Sequence, residues 1–103
     1  MVKWTDNAIA NITDFIDSAR FDTENTAKNY MSKLVDYIDI LNTMPDLGKV
    51  IENKVFNYEI RQLVYKSHKV IYHNDGKDII ILAILHSKMD FEIVLKRLKK
   101  GLK

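Results

Sequence analysis

The run Ile79–Leu85 constrains the fold of this chain more than any other stretch, because it holds seven apolar residues without polar alternation. A half-buried strand alternates apolar and polar side chains, whereas a strand covered on both faces is apolar almost throughout. The run is also too short to cross a membrane. It predicts a central strand over Asp78–Leu85, with helices on one side of its sheet. The polar cluster His86–Asp90 then marks the edge of the sheet where functional side chains are expected.

Two shorter segments that precede this run predict further strands. Tyr58–Tyr65 alternates around Arg61, and His68–His73 is short and β-branched. Between His73 and Asp78, the pair Asp75-Gly76 is typical of a two-residue type I′ hairpin turn, which requires a positive φ at both central positions. These three strands follow one another closely in the sequence and are expected to pair.

The N-terminal half predicts a strand and two helices. Val2–Trp4 is a short strand candidate, Thr5 is a suitable N-cap, and Pro45 ends the second helix. Two helices joined by a few residues should pack as an antiparallel helical hairpin. Apolar residues at helical spacing are Ile9, Ile12, Phe15, Ile16 and Ala19 in the first helix, with Asn11, Asp14 and Asp17 outward, and Ala27, Tyr30, Met31, Leu34, Val35, Ile38 and Leu41 in the second.

Two segments remain around the predicted strands. Lys49–Phe56 fits either a strand edge or a loop packed on the sheet. Asp90 can begin a final helix, whose apolar face is formed by Phe91, Val94, Leu95, Leu98 and Leu102. The resulting order, β-α-α-β-β-β-α, predicts an α+β fold. At 103 residues the chain is expected to form one domain over residues 1–103.

Composition argues against many functional classes. The chain has no cysteine, which excludes disulfides and thiolate metal sites, and its three glycines provide no Gly-rich phosphate loop. The three histidines are not paired with carboxylates at metal-ligand spacing, so neither a metal site nor a cofactor is expected. The N-terminus lacks the apolar segment of a signal peptide. We therefore expect a cytoplasmic protein without a membrane partner.

Charge is distributed unevenly along the chain. Residues 1–47 have a net charge of −4, residues 48–85 of +2, and residues 86–103 of +4. A basic C-terminal part would suit a polyanion or an acidic protein partner. The lysines of the final helix fit a solvated face equally well.

Cations and aromatic residues concentrate in the predicted strands. Basic groups interleaved with aromatic rings can hold an RNA phosphate and stack a base. The alternative is that the tyrosines belong to the core and that Arg61 pairs with a carboxylate such as Glu59 or Asp78. The residues concerned are Arg61, Tyr65, Lys66, Lys69, Tyr72, His86 and Lys88.

An ordered series of residues resembles one known superfamily. The series consists of Trp4-Thr5 before an Ala-x-x-x-Ile helix, Pro45-x-x-Gly48, Arg61, Lys69-Val70-Ile71-Tyr72, and Ile80-x-x-x-Ile84-Leu85-His86. Over about residues 2–95 the chain is similar to the RelE/ParE superfamily of toxins from type II toxin–antitoxin modules. The resemblance implies two N-terminal helices packed on a twisted, mostly antiparallel sheet.

Within the superfamily, Pro45–Gly48, Arg61 and Leu85–Asp90 resemble the ParE branch more closely. That branch is associated with plasmid stabilisation and with growth inhibition through poisoning of DNA gyrase, whereas the RelE branch cleaves messenger RNA on the ribosome. Either reading implies a cognate antitoxin and a toxin–antitoxin hetero-oligomer. A third alternative is a degenerate member that only binds its antitoxin.

The resemblance also implies candidate site residues. Target binding would involve Arg61, Lys66, Lys69, His86 and Lys88, and a ribonuclease would use Arg61, Lys69, His86 and Lys88 in catalysis. No tyrosine occurs after Tyr72 and no histidine after His86, so the C-terminal acid or base of the RelE branch is missing. His86 could replace it, because an imidazole titrates near neutral pH.

Overall fold

Five strands and two helices form most of the described part of the chain. The structure, a computed structural model, describes residues 1–17, 24–87, 89, 93, 94, 96 and 97. Its elements are β1 (Val2–Trp4), α1 (Asp6–Asp17), α2 (Glu24–Asp39) with a 3-10 turn at Ile40–Asn42, β2 (Lys49–Ile51), β3 (Ile60–Tyr65), β4 (His68–Asn74) and β5 (Ile79–His86).

The strands form one sheet in the order β1-β5-β4-β3-β2. The first strand pairs with β5 in parallel, and every other neighbouring pair is antiparallel. Strand β5 lies between β1 and β4, and most of its side chains are buried. The predicted α+β architecture is confirmed. The apolar β5 is second from the edge of the sheet, and β4 is the middle strand, so the prediction of β5 as the central strand was wrong.

Both faces of the sheet carry apolar clusters. One cluster lies between the two helices and the sheet, on the side of the sheet called the helix face. Its residues are Ala8, Met31, Leu34, Ile38, Leu41, Leu63, Val70, Tyr72, Ile79, Ile81 and Ile84. The opposite face, called the second face, holds Ile60, Ile71, Leu82, Ala83 and Leu85, with Val55, Phe56, Tyr58 and Val94 packed on it. Segment 52–59 therefore covers the second face as a loop, while Lys49–Ile51 is a strand that extends the sheet. The region predicted as either a strand edge or a loop packed on the sheet thus contains both.

The connection between β4 and β5 differs from the predicted type I′ turn. Asn74 pairs with Ile79, which leaves four residues in the loop. Within this loop, whose residues are all described, Gly76 is the only residue with a positive φ, which is 91°. The Asp75 carboxylate accepts hydrogen bonds from the amides of Lys77 (2.8 Å) and Asp78 (2.6 Å). These amide bonds hold the pKa of Asp75 below its usual value. Side-chain bonding of this kind stabilises a longer loop than the dipeptide alone indicates.

Helix α1 begins as predicted and packs Ile12 and Phe15 of the predicted stripe against the core, but the prediction fails at Ile9 and Asn11. The Thr5 hydroxyl accepts a hydrogen bond from the Ala8 amide at 3.1 Å, which confirms Thr5 as the N-cap. Ala8 is fully buried, whereas Ile9 is 51% exposed, so the assignment of Ile9 to the core stripe was wrong. Asn11, predicted to face outward, instead contacts β5. The Thr5 hydroxyl also donates to the Ile81 carbonyl at 2.8 Å, which fixes the start of α1 on the sheet.

The predicted final helix lies largely outside the described residues. Ile93, Val94, Lys96 and Arg97 are helical, and Val94 packs on the second face. Across the described parts of the chain, none of the helices combines the length and apolar character that a membrane span requires.

A single buried hydroxyl connects the loop after α2 to the sheet. Tyr72 is fully buried in β4, and its hydroxyl donates to the Pro45 carbonyl at 2.9 Å and accepts from the Gly48 amide at 2.8 Å. A Cβ at position 48 would lie 2.6 Å from the Tyr72 ring and 2.9 Å from the Gln62 carbonyl, so only glycine allows this approach. The Pro-x-x-Gly sequence is thus explained by packing against Tyr72.

Tyr72→Phe should lower the free energy of unfolding by about 1–3 kcal/mol, because the Pro45 carbonyl and the Gly48 amide lose their buried partner. Urea unfolding followed by circular dichroism measures the change. Tyr37→Phe is the matched control, since its hydroxyl makes no hydrogen bond to a described residue. Equal stability of the two variants would contradict the role assigned to the Tyr72 hydroxyl.

Candidate functional site

A cleft of about 440 Å³ lies at the end of β5. One polar stripe of α1 forms its first wall, the end of β5 forms its floor, and helical residues near the C-terminus form its second wall. The lining residues are Asn7, Asn11, Asp14, Phe15, His68, Ile84, Leu85, His86, Met89, Val94 and Arg97. The cleft lies at the polar edge that the sequence indicated, and it has the size of a ligand site.

His68 is the buried polar residue of this cleft. Only 3% of the residue is exposed, and its Nδ1 lies 2.9 Å from the Tyr30 hydroxyl. That hydroxyl also interacts with the Ser67 backbone amide. The arrangement is best satisfied when Tyr30 accepts from Ser67 and donates to Nδ1, which leaves no hydroxyl proton unused. In this tautomer Nε2 carries the proton, and Nε2 is buried without a hydrogen-bond partner among the described residues.

His86 lies beside His68 on the neighbouring strand. The two residues are directly paired between β4 and β5, and their ring centroids are 5.6 Å apart in an edge-to-face arrangement. Burial, reinforced by the charge of His86, lowers the pKa of His68 to about 4. His68 is therefore neutral near pH 7, and the half-buried His86 is the imidazole of this pair that faces the cleft more openly.

The low pKa of His68 predicts acid sensitivity. Because the folded-state pKa of His68 is about 4 and the unfolded value is near 6.5, stability from the neutral ring is present above pH 6.5 and is lost as the pH falls toward 4. When the pH is lowered from about 7.5 to about 5, protonation of this ring should lower the free energy of unfolding by about 2 kcal/mol. Urea unfolding at both pH values measures this decrease. In His68→Gln, whose side chain cannot be protonated, the decrease due to position 68 should be absent. An identical pH dependence in the variant would contradict this assignment.

Side chains of α1 occupy the outer edge of β5 within the same cleft. The Leu82 carbonyl accepts from Asn7 Nδ2 at 3.0 Å, and the Ile84 amide donates to Asn11 Oδ1 at 3.0 Å. Strand β1 pairs with β5 only as far as Trp4 and Ile81. Beyond that point these side-chain amides take hydrogen-bonding positions that a neighbouring strand would take.

Lys66 and Lys69 lie near the cleft but on different sides of the sheet. Lys66 is in the turn between β3 and β4 with a φ of 49°, and its Nζ lies 5.9 Å from the Tyr30 ring centroid and 5.6 Å from that of Tyr65. Lys69 follows His68 in β4, and consecutive strand residues face opposite ways. Lys69 is therefore on the second face, whereas His68 is on the helix face.

Arg61 lies at the other end of β3. Its Nη1 donates to the carbonyls of Gly48 (2.7 Å) and Asp46 (3.2 Å), and its Nη2 lies 3.3 Å from a Glu59 carboxylate oxygen. Arg61 is four residues from Tyr65, which is about 13 Å along a strand. The structure thus separates Arg61 from the two histidines. It supports the alternative in which Arg61 pairs with a carboxylate, and of the two predicted partners Glu59 is the one it contacts. The second carboxylate is that of Asp46, whose Oδ1 lies 3.6 Å from Arg61 Nη2, and not that of Asp78.

Arg61→Ala should destabilise the protein by about 1–3 kcal/mol, because the Gly48 carbonyl and the neighbouring carboxylates lose their donor. If Arg61 had a mainly functional role, the same substitution would leave the stability nearly unchanged. Urea unfolding tests it, with Lys69→Ala as the control because a partly exposed lysine outside a polar network changes stability by less than about 0.5 kcal/mol. Unchanged stability of Arg61→Ala would restore Arg61 as a residue free for target binding.

The structure brings together part of the predicted site. His86 and Lys66 lie near one end of the sheet, Lys69 lies on the second face there, Arg61 is remote, and Lys88 lies outside the described residues. Sequence reasoning missed Asn7, Asn11, His68 and Arg97. The i, i+4, i+7 spacing of Asn7, Asn11 and Asp14 was the available signal, since it places three polar side chains on one side of α1.

These features define a class of small α+β protein, with two helices on one face of a mostly antiparallel sheet and a polar cleft at the end of β5. A family model described as the ParE toxin of the type II toxin–antitoxin system, parDE, matches residues 2–91. The chain belongs to this family. The resemblance to the ParE branch is confirmed.

A solved structure supports the same fold. The chain is similar to a chain described as belonging to the chromosomal ParDE toxin–antitoxin system from P. aeruginosa, with a TM-score of 0.71 and 21% sequence identity. The similarity covers 84% of this chain and 95% of that one. At this level of identity the similarity shows a shared fold. None of the curated proteins matches the chain.

Proposed function

We propose that this protein is a toxin that inhibits growth in the cytoplasm by poisoning DNA gyrase, and that a cognate antitoxin neutralises it. Membership of the ParE toxin family over residues 2–91 carries the proposal. In this mechanism the toxin binds the enzyme–DNA complex and stabilises it in a cleaved state. The toxin itself makes and breaks no bond.

The positions of the candidate catalytic residues support binding without chemistry. A general acid or base must lie within hydrogen-bond reach of the group whose proton it transfers. Lys69 and His86 lie on opposite faces of the sheet, and Arg61 contacts Gly48 and Asp46 at a distance from both. His68, with its pKa lowered to about 4, is neutral and buried. Of the candidates that the structure describes, Arg61, Lys69 and His86 therefore do not form one constellation for ribose attack.

The charge distribution supports an acidic protein partner. Residues from 48 onward carry the excess of basic side chains, and Arg97 lines the cleft at the end of β5. Opposite charge increases the rate at which partners associate and selects among them. The net positive charge of residues 48–103 favours an acidic antitoxin segment, and a hetero-oligomer of toxin and antitoxin follows from such binding.

Expression of the toxin should relax or linearise a reporter plasmid while transcripts stay intact. Gel electrophoresis of plasmid topoisomers and sequencing of transcript ends, from the same cultures, measure both outcomes. Coexpression of the small protein encoded beside the toxin gene should restore supercoiling. Cleaved transcripts with normally supercoiled plasmid would favour the ribonuclease, and no effect on either would favour a degenerate toxin that only binds its antitoxin.

His86→Gln separates binding from catalysis within the same experiment. An amide can replace one hydrogen bond of an imidazole but does not transfer a proton near neutral pH. A gyrase poison should therefore keep much of its toxicity at matched expression, whereas a ribonuclease that uses His86 should lose about 10²–10⁴ in rate. Complete loss of toxicity in a folded variant that still binds the antitoxin would favour the ribonuclease.

A further inference from the structure

Asp75-Gly76 is the only Asp-Gly pair in the sequence, and Asn-Gly does not occur. The pair lies in the loop between β4 and β5, where Asp75, Gly76 and Lys77 are exposed. A Cβ added at Gly76 would meet no atom within 4 Å, so the surroundings of the glycine are open. Because glycine has no side chain of its own, its amide nitrogen can be approached closely by the preceding carboxyl group.

The chemistry open to such a pair is isomerisation of the aspartate. The Gly76 amide nitrogen attacks Cγ of Asp75, a new N–Cγ bond forms, and the amide proton leaves as water together with the hydroxyl of the protonated carboxyl group. Water then opens the resulting succinimide ring at either carbonyl. One opening restores aspartate, and the other gives isoaspartate, whose main chain runs through Cβ and Cγ. The reaction needs no reagent other than water, and the mass of the chain does not change.

The folded loop restrains both reacting groups. The Gly76 amide, which is the nucleophile, donates to Asn74 Oδ1 at 2.9 Å. Asp75 Oδ1 accepts from the amides of Asp78 at 2.6 Å and Lys77 at 2.8 Å, and these bonds hold the pKa of Asp75 below its usual value. The carboxyl group therefore stays ionised, and a carboxylate is a poorer electrophile than the protonated acid. The Asp75 amide also donates to the Asp78 carbonyl at 3.1 Å, which closes the loop.

We propose that Asp75 is a modification site at which isoaspartate formation is suppressed in the folded loop and released when the loop between β4 and β5 opens. In the closed loop, Asn74 holds the nucleophile and the two following amides hold the electrophile. Exposed loops open locally at a much smaller free-energy cost than global unfolding. The inference does not depend on the proposed toxin function, because it concerns the chemistry of this loop alone.

The modification has a consequence for the pairing of β1 with β5. Isoaspartate lengthens the main chain of the loop and moves its carboxylate, so the bonds to the two following amides are lost. The loop ends at Asp78, whose carboxylate lies 3.1 Å from Lys3 Nζ and 3.5 Å from the Met1 ammonium. The next amide, that of Ile79, donates to the Met1 carbonyl at 2.9 Å. A modified loop therefore loosens the first contacts between β1 and β5.

The rate of isomerisation can be measured on the full chain incubated near neutral pH. Endoprotease Asp-N cleaves before aspartate but not before isoaspartate, and electron-transfer mass spectrometry distinguishes the two isomers. The wild-type chain in concentrated guanidinium chloride should isomerise at position 75 at least about tenfold faster than the folded chain, which corresponds to a loop opening of about 1.4 kcal/mol or more. In the same denaturant, Gly76→Ala should react more slowly, because its Cβ hinders the amide nitrogen.

Two substitutions at position 74 test the restraint on the nucleophile in the folded chain. Asn74→Ala removes the acceptor of the Gly76 amide, so isomerisation should be about fivefold faster, which corresponds to one hydrogen bond of about 1 kcal/mol. Asn74→Asp keeps an acceptor and should react at the wild-type rate. Both variants lose the weaker contact of Asn74 Nδ2 with Asp46 Oδ1 at 3.4 Å, so they are matched in that respect. Circular dichroism verifies that both are folded.

Equal rates in the folded and the unfolded wild-type chain, or no isoaspartate at position 75 in the unfolded chain, would overturn the inference. Equal rates in folded Asn74→Ala and folded Asn74→Asp would also overturn it, because Asn74 would then not restrain the reaction. Faster hydrogen exchange of the Ile79 amide in the purified isoaspartate form, measured by NMR, would establish the loosening of β1. Unchanged exchange of that amide would refute this consequence.

Discussion

The double burial of β5 is the constraint on which the rest of the structure depends. A strand with apolar side chains on both faces is stable only when each face is covered, because exposed apolar area is unfavourable in water. The helices α1 and α2 cover one face, and segment 52–59 with Val94 covers the other. Strands β1 and β4 pair with the backbone of β5 on its two sides, and beyond Ile81 the side chains of Asn7 and Asn11 bond its outer backbone groups.

Elements with a strong local signal could be predicted from the sequence. The run Ile79–Leu85 identified β5, helical spacing identified α1 and α2, and Thr5 was found as a cap because N-cap bonds involve neighbouring residues. The three-residue strand β2 had too little length for a pattern. The loop after Asn74 depends on side-chain bonds of Asp75, which a dipeptide rule does not include.

The site was less predictable, because strand register decides which distant residues meet. His86 could be placed at the end of a strand, but its pairing with His68 requires the register of β4 and β5. Arg61 was identified as a candidate from its place in a predicted strand and from the family resemblance. Its contacts with Gly48 and Asp46 depend on how the loop after α2 folds over β3, and that geometry has no local signature.

Tyr72 shows how a residue with an apparently functional pattern can have a structural role. Aromatic and basic residues interleaved along strands are compatible with nucleic-acid binding. In the folded chain, however, the Tyr72 ring is completely buried, and its hydroxyl bridges Pro45 and Gly48. Burial thus distinguishes the tyrosines that support the fold from the cations that remain at the surface, such as Lys66.

The parallel pairing of β1 with β5 has a consequence for the order of folding. Val2 pairs with Ile79, so the first strand of the chain meets its partner only in the last strand of the sheet. During synthesis the helices can form early from local contacts, but β1 must wait until β5 has emerged. Contacts between such distant residues carry a large loop-closure entropy and slow the folding of small domains. The first strand can therefore join the sheet only after β5 has been synthesised.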